Sequence, residues 1–183
     1  MFRSKELTTS NGKFIHVYDG LFSQAEMEFF YKFVTSSFFK WGGFSGPLAE
    51  AKDQIYAAFS LEDVENMGFK KSDGFKFLEE KYKIPANPRP TDRAKVNLSC
   101  PFEDNTIHTD GRDGFTMLYY VNLKWELGWN GHTLFMDDNV EEPEHLVLYK
   151  PGRLVAFDAS IPHMVMTQMP RHRFCFVLQY EPI

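Results

Sequence analysis

The sequence predicts a mainly β domain with flanking helices (α+β), whose β-rich half forms an antiparallel sandwich or barrel. Apolar residues at helical spacing are confined to the front of the chain, mostly residues 20–85. In residues 92–183, short runs rich in β-branched and aromatic residues alternate with turn signals at near-regular spacing. Because the chain has 183 residues, we expect one domain, residues 1–183, with a substantial buried core.

Composition narrows the class of protein further. The chain is 43% hydrophobic and 16% aromatic, with 19 Phe, which is typical of a globular domain with bulky core residues. Its net charge of −5 argues against a general electrostatic attraction to nucleic acid, so no nucleic-acid partner is expected. Two cysteines, Cys100 and Cys175, are too few for a disulfide framework. Without a signal peptide or an apolar run of membrane length, we expect a cytoplasmic location and no membrane partner; the oligomeric state is left open.

The front of the chain begins with a strand and a capped helix. The run FIHVY at 14–18 predicts a short strand. Ser23, with Glu26 three residues later, predicts a capping box at the start of a helix. The apolar residues that follow recur at helical spacing and predict one buried helix face, made of Met27, Phe30, Val34 and Phe38.

A glycine-rich stretch, WGGFSGP at 41–47, interrupts the helical pattern. It is a poor phosphate loop, since no strand precedes it and no Gly-Lys-Ser/Thr follows it. We expect the segment 42–60 to close over a bound substrate. Two further helices are predicted near 61–67 and 73–82.

The back half of the chain contains seven predicted strands. Turn residues such as Asn130-Gly131 and Pro151-Gly152 separate them. The strands are Ala94–Cys100, Phe115–Leu123, His132–Met136, Leu146–Tyr149, Arg153–Phe157, His163–Thr167 and Phe174–Tyr180.

Four residues in this half suggest a metal site with a carboxylate-binding group beside it. A lone His-x-Asp pair such as His108 and Asp110 is common by chance, but here His163 and Arg173 follow at the ends of later strands. Two imidazoles and one carboxylate on one side of a mid-row divalent metal leave positions open opposite, which suits an Fe(II) oxygenase. An arginine nearby offers a planar, permanently charged group for a carboxylate.

These residues lie in motifs that resemble the Fe(II)/2-oxoglutarate-dependent dioxygenase superfamily, and most closely its prolyl 4-hydroxylase-like branch. The resemblance covers roughly the last half of the chain, and the order and spacing of the motifs also match. The matching stretches are HTD at 108–110, LYYVNL at 118–123, NGHTLF at 130–135, PGRLVAFDASIPH at 151–163 and RFCFVLQY at 173–180.

The resemblance implies a fold, a site and a reaction. The fold is a double-stranded β-helix (jelly-roll) core in 92–183, backed by helices. His108, Asp110 and His163 would be the catalytic iron ligands. Arg173, Tyr120 and Thr133 would line the 2-oxoglutarate site. The implied cofactors are Fe(II), 2-oxoglutarate as cosubstrate and O2, with ascorbate as an optional reductant. The implied reaction is hydroxylation of a C–H bond, with a prolyl residue of a protein or peptide as substrate.

Two positions depart from the pattern of the resembled family. Val177 stands four residues past Arg173, where relatives often carry Ser or Thr. The strand before His108 ends in Asn97, Leu98, Ser99 and Cys100, where many relatives carry a tyrosine. Both changes remove hydrogen-bonding groups from the expected cosubstrate site.

Other functions stay open at this point. A free amino acid or small metabolite could replace the prolyl substrate within the same chemistry. A non-catalytic jelly-roll binding domain that keeps a remnant site is an alternative against which the intact ligand set argues. A cupin-type metalloenzyme that uses no 2-oxoglutarate is another, and it would give Arg173 no task. Nucleic-acid demethylation is disfavoured. The branch of the resembled superfamily that demethylates nucleic acids carries two arginines six residues apart after the last histidine, whereas Arg171 and Arg173 are two residues apart.

The remaining histidines and two tryptophans have mainly structural interpretations. His16, His145 and His172 are expected to be structural or exposed, whereas His132 lies beside the site in sequence. Two loop tryptophans, Trp125 and Trp129, could form a substrate wall or plug an edge of the fold.

Overall fold

The computed structural model describes residues 2–44, 52–66, 68–84, 93–102, 105–167 and 170–180. Within these residues the chain forms three α-helices and eleven strands, arranged in two antiparallel sheets with the helices on the outer face of the larger sheet. The predicted mainly β architecture with flanking helices is confirmed. No helix in the described part of the chain combines the length and the apolar character needed to cross a membrane.

The chain begins with a hairpin at one edge of the larger sheet, made of β1 (Arg3–Thr8) and β2 (Phe14–Asp19). Strand β2 was predicted from the sequence, whereas β1 was not. The sequence of β1, RSKELT, is almost entirely polar and exposed, so it lacks the alternation that marks a half-buried strand.

Helix α1 (Gln24–Thr35) begins at the predicted capping box, in which Ser23 and Glu26 satisfy each other's backbone N–H groups. Phe30 and Val34 are buried as expected. The prediction for Phe38 was wrong, because the helix ends at Thr35 and the Phe38 side chain is 92% exposed beyond it.

Helices α2 (Leu61–Asn66) and α3 (Asp73–Tyr82) confirm the two later helix predictions. Between α1 and α2 the structure has a hairpin, β3 (Lys40–Phe44) and β4 (Lys52–Phe59), where no strand was expected. Polar residues and glycines hide its strand pattern in the sequence. Closure of 42–60 over a substrate stays a prediction, and the linking residues 45–51 lie outside the described residues.

The remaining seven strands overlap the seven predicted runs with shifted ends, and the fourth shares only Leu146 and Val147 with its run. They are β5 (Arg93–Ser99), β6 (Phe115–Tyr120), β7 (Thr133–Met136), β8 (Pro143–Val147), β9 (Leu154–Asp158), β10 (His163–Val165) and β11 (Arg173–Tyr180). The larger sheet has the order β1-β2-β9-β6-β11-β5-β4-β3, and the smaller sheet has the order β10-β7-β8.

The two faces of the larger sheet bury different cores. Side chains alternate along each strand, so that in β6 Tyr119 packs toward the helices while Tyr120 packs between the two sheets. In β11, Phe176 and Val177 divide in the same way. The space between the sheets is the interior of a jelly-roll, and the predicted double-stranded β-helix core is confirmed.

The contact between α3 and the chain before α1 generates a stability prediction. Gly74 lies buried in the first turn of α3, where an added Cβ would run into the backbone carbonyl of Leu21. Gly74→Ala should lower the free energy of unfolding by about 1–2 kcal/mol, because overpacking outweighs the gain in helix propensity. Chemical denaturation measures this change. Gly128→Ala is the matched control, since an added Cβ there meets open space; a Gly74→Ala protein more stable than wild type would contradict the contact.

Candidate metal centre

Three side chains predicted as metal ligands converge between the sheets. One ligand atom from each of His108, Asp110 and His163 lies within 4.8 Å of the other two. The distance from His163 Nε2 to Asp110 Oδ2 is 3.7 Å, and from His108 Nε2 to Asp110 Oδ1 it is 4.0 Å. These separations suit three ligands around one ion.

Backbone hydrogen bonds bring the two histidines together. His108 and His163 form an isolated antiparallel bridge, in which each residue donates its N–H to the carbonyl of the other, at 3.0 and 2.9 Å. Asp110 donates its N–H to the carbonyl of Ala159 at 3.0 Å. His108 is part of no longer strand, and the chain bends at Asp110 beside Ala159.

Both histidines have a fixed tautomer. The Nδ1 of His163 lies 2.9 Å from the carbonyl oxygen of Ile161, and the Nδ1 of His108 lies 3.1 Å from that of Thr106. Because a carbonyl oxygen can only accept, Nδ1 carries the proton in each ring. The lone pair therefore lies on Nε2, the atom nearest Asp110, which is the arrangement of a metal-binding imidazole.

The charge state of the site also suits a cation. Burial opposes the charge on Asp110, but in the acidic range where this carboxyl titrates the protonated His163 and His108 attract its charge and hold its pKa below the ordinary value. Burial lowers the pKa of His163, which keeps the imidazole neutral and free to bind a metal. The Asp110 side chain is 5% exposed, and its Oδ2 has no hydrogen-bond partner among the described residues. A divalent ion would satisfy this oxygen, so the donor set fits a mid-row metal such as Fe(II).

Arg173 lies between the same two sheets, with 1% of its surface exposed. Its Nε donates to the carbonyl of Gly131 at 2.8 Å, whereas its Nη2 has no partner in the part of the chain that the structure describes. The guanidinium carbon lies 5.3 Å from the centre of the Tyr120 ring and 5.0 Å from that of Tyr149. A buried cation with an unused donor is a binding position for an anion.

The other two predicted cosubstrate residues adjoin Arg173. The hydroxyls of Tyr120 and Thr133 lie 2.7 Å apart and both side chains are fully buried. Burial raises the pKa of Tyr120 to about 12, although Arg173 acts in the opposite direction. Tyr120 therefore keeps its proton at neutral pH and can act as a hydrogen-bond donor.

A small cavity is lined by both His108 and Arg173. Its volume is about 40 Å³ and its walls include Asn97, His108, Val165 and Arg173. A cavity of this size holds a few water molecules, so a dicarboxylic acid would require its walls to move outward. Asn97 Oδ1 has no hydrogen-bond partner within the described residues, and Val177 is buried between the sheets. Both departures in the sequence therefore lie in the interior of the jelly-roll.

Three of the other four histidines form hydrogen bonds outside the candidate metal centre, and the fourth is exposed. Nδ1 of His16 pairs with the Tyr82 hydroxyl at 2.6 Å, and Nε2 of His145 pairs with the carbonyl of Thr8 at 2.9 Å. Nδ1 of His132 accepts the backbone N–H of Tyr149 at 3.0 Å. His172 is exposed.

The end of the jelly-roll near Arg173 is covered by aromatic rings. The Trp125 ring lies 4.4 Å from that of Tyr149 and 5.5 Å from that of Trp129. This arrangement favours the edge-plug interpretation of the two tryptophans. Sequence reasoning missed Tyr149, because a tyrosine at the end of a strand carries no signal of its neighbours; only the packed fold places it against Arg173.

Comparison with known proteins rests on solved structures, because neither a family model nor a curated protein matches the sequence. An oxidoreductase of the 2OG-Fe(II) oxygenase family from Burkholderia pseudomallei shares 11% identity at a TM-score of 0.67, over 91% of this chain and 84% of that chain. A prolyl hydroxylase from Trichoplax adhaerens, solved with a hypoxia inducible factor peptide fragment, shares 17% identity at a TM-score of 0.68, over 91% and 83%. A viral collagen prolyl hydroxylase from Paramecium Bursaria Chlorella virus-1, solved with 2OG, shares 15% identity at a TM-score of 0.63, over 94% and 98%.

The chain therefore has the double-stranded β-helix fold of the 2-oxoglutarate- and iron-dependent oxygenases. Prolyl hydroxylases recur among these neighbours, which is the branch that the sequence motifs resemble. At these identities the likeness concerns the fold, and it confirms the predicted resemblance at that level.

The geometry of the three candidate ligands predicts that one substitution lowers the affinity for a metal ion. Asp110→Asn should weaken Mn(II) binding by at least roughly a hundredfold, because it removes the one charged ligand of the set. Calorimetric titration of the metal-free protein with Mn(II) measures this change. Asp113→Asn is the matched control, since Asp113 is an exposed carboxylate three residues away. Equal affinities in the two variants would exclude Asp110 as a ligand.

Proposed function

We propose that this protein is an Fe(II)- and 2-oxoglutarate-dependent dioxygenase that hydroxylates a C–H bond, with a prolyl residue of a protein or peptide as its substrate. The observation that carries the proposal is a small cavity lined both by His108, one member of the His108–Asp110–His163 cluster, and by Arg173, whose Nη2 is an unused donor among the described residues. Metal ligands alone would suit many reactions, whereas the added buried cation suits a cosubstrate with a free carboxylate.

The three converging side chains would hold the iron. His108 and His163 would contribute Nε2, and Asp110 would contribute a carboxylate oxygen. When bound, Fe(II) supports the coupled reaction in which O2 and 2-oxoglutarate give succinate and CO2 while one oxygen atom enters a substrate C–H bond. The protein's part is to fix the ligands in place, and the hydrogen bonds from both Nδ1 atoms do so.

Arg173 would bind the distal carboxylate of 2-oxoglutarate through its free Nη2. Tyr120 stays protonated and could donate a second hydrogen bond to the same carboxylate. Thr133 would then donate to the Tyr120 oxygen, since the two hydroxyls lie 2.7 Å apart. The carboxylate would thus accept one hydrogen bond from Arg173 and one from Tyr120, with Thr133 supporting Tyr120 from behind.

Aromatic walls would keep water away from the metal. The rings of Phe157 and Phe135 lie 4.8 and 5.9 Å from the His163 ring, and both side chains are fully buried. Exclusion of water strengthens the electrostatic interactions inside the site and limits side reactions of a reactive oxidant.

The finer assignment of substrate is supported by the prolyl hydroxylases among the structural neighbours and by the sequence motifs. A free amino acid or small metabolite would use the same iron and cosubstrate residues. A cupin-type metalloenzyme without 2-oxoglutarate would leave the charge of Arg173 without a ligand, whereas a non-catalytic binding domain would release no succinate.

Arg173 gives the test of the reaction class. Wild type should release succinate from 2-oxoglutarate with Fe(II) and ascorbate. Arg173→Ala should lower that rate at subsaturating 2-oxoglutarate by roughly thirtyfold or more, because truncation of a buried charged partner costs several kcal/mol. Arg171→Ala, which removes an exposed arginine two residues away, should change the rate by less than about twofold. Equal rates in wild type and Arg173→Ala would exclude the cosubstrate assignment.

A substrate panel tests the finer assignment. Unstructured proline-containing peptides should raise succinate release and gain one oxygen atom by mass spectrometry, whereas matched alanine peptides and free amino acids should not. Hydroxylation of a free amino acid with inert peptides would make the small-molecule alternative correct. Succinate release without any hydroxylated product in the panel would exclude the prolyl assignment but keep the reaction class.

A further inference from the structure

Tyr149 packs against both Arg173 and Tyr120 in the interior of the jelly-roll. Its side chain lies two residues past β8 and is 2% exposed. Its ring stacks on the Tyr120 ring with centroids 4.4 Å apart and planes inclined by 14°. The guanidinium carbon of Arg173 lies 5.0 Å from the Tyr149 ring centre. The ring thus attracts the arginine through its π face, where little water competes.

The hydroxyl of Tyr149 contacts the backbone that carries Arg173. It accepts the N–H of Asn122 at 3.1 Å, and it lies 2.6 Å from Asn122 Oδ1 and 2.7 Å from the carbonyl oxygen of Phe174. Its single proton can be donated to only one of these two acceptors at a time. Donated to the Phe174 carbonyl, this proton connects the end of β6 directly to the start of β11, and donated to Asn122 Oδ1 it restrains the side chain that makes the same connection.

Asn122 completes this connection on both sides of Arg173. Its Oδ1 accepts the N–H of Phe174 at 2.8 Å, and its Nδ2 donates to the carbonyl of His172 at 3.0 Å. The residues immediately before and after Arg173 are therefore both bound by one side chain, and that side chain is itself bound by the Tyr149 hydroxyl.

The backbone of Tyr149 contacts the loop that aims the guanidinium. Its N–H donates to Nδ1 of His132 at 3.0 Å. The neighbouring residue Gly131 provides the carbonyl that accepts Nε of Arg173 at 2.8 Å. The Tyr149 ring thus restrains the Arg173 side chain, and the Tyr149 hydroxyl restrains the main chain next to Arg173. The Tyr149 backbone restrains the loop whose Gly131 carbonyl accepts the hydrogen bond from Arg173.

We propose that Tyr149 is a positioning residue for Arg173, which sets the affinity of the site for 2-oxoglutarate without touching the cosubstrate. This inference rests on the proposed function. A long arginine side chain loses rotational freedom when it binds a carboxylate, and a guanidinium that is already held in place loses less. The metal ligands come from residues 108–110 and 163, which Tyr149 does not contact through any described hydrogen bond. Loss of the Tyr149 hydroxyl should therefore weaken cosubstrate binding and leave the step at the metal nearly unchanged.

Tyr149→Phe keeps the ring and removes only the hydroxyl. Calorimetric titration of 2-oxoglutarate into the Mn(II)-loaded protein should give a Kd raised roughly tenfold, as for other residues that orient a binding group. The KM for 2-oxoglutarate should rise by the same factor, while kcat at saturation stays within about twofold. Tyr119→Phe is the matched control, because the buried Tyr119 hydroxyl faces the helices and has no hydrogen-bond partner in the described chain. It should leave Kd unchanged.

A second variant keeps the test decisive if Tyr149→Phe folds poorly. Asn122→Ala should also raise Kd by roughly tenfold. The double variant should raise it by less than the product of the two, because both residues act through one connection.

Several results would overturn the inference. The first is a Kd for 2-oxoglutarate in Tyr149→Phe equal to that of wild type. The second is a lower Mn(II) affinity or a lower kcat in that variant without a change in this Kd. The third is a Kd of the double variant raised by the full product of the two single-variant factors. Failure of the wild-type protein to bind 2-oxoglutarate would instead overturn the proposed function itself.

Discussion

Two backbone hydrogen bonds, one in each direction between His108 and His163, are the interaction on which the rest of the site depends. They join residues that are far apart in the sequence and place the two imidazoles on one side of Asp110. The pairing of His163 with Phe135 in the smaller sheet then fixes this cluster inside the jelly-roll. A candidate metal site of this kind needs no long strand at the first of its three residues. One bridge is enough when each imidazole is also held through its Nδ1.

Charge is the second constraint on the site. Asp110 and Arg173 are buried charges of opposite sign, and each has a polar atom without a partner within the described ranges. Burying such groups is unfavourable unless something completes their interactions. A cation at Asp110 and an anion at Arg173 would do so, and a single diacid bound to both the metal and the arginine would connect the two.

The sequence was sufficient for the parts of the structure that repeat or stand in a fixed order. The helix cap at Ser23 and Glu26, the later helices and the strands of the back half follow from local patterns. The candidate ligands could be proposed because two histidines, an aspartate and an arginine fall in a familiar order. The hairpin β3–β4 was missed because glycines and polar residues dilute its alternation. The role of Tyr149 could not be predicted, since its contacts come from β6, β11 and the loop before β7, which only the tertiary fold brings together.

Strand β1, which the sequence pattern did not predict, illustrates how the edge of a β-sheet is protected from pairing with strands of other molecules. β1 is the outermost strand of the larger sheet, and one side of its backbone is free of any neighbouring strand among the described residues. Arg3, Lys5 and Glu6 are exposed along it, and Glu6 pairs with Lys81 at 2.8 Å. Closely spaced charges of both signs disfavour the addition of a foreign strand, which is how many sheets avoid aggregation. The polarity that hides β1 from pattern analysis is thus the same property that protects the sheet from uncontrolled self-association.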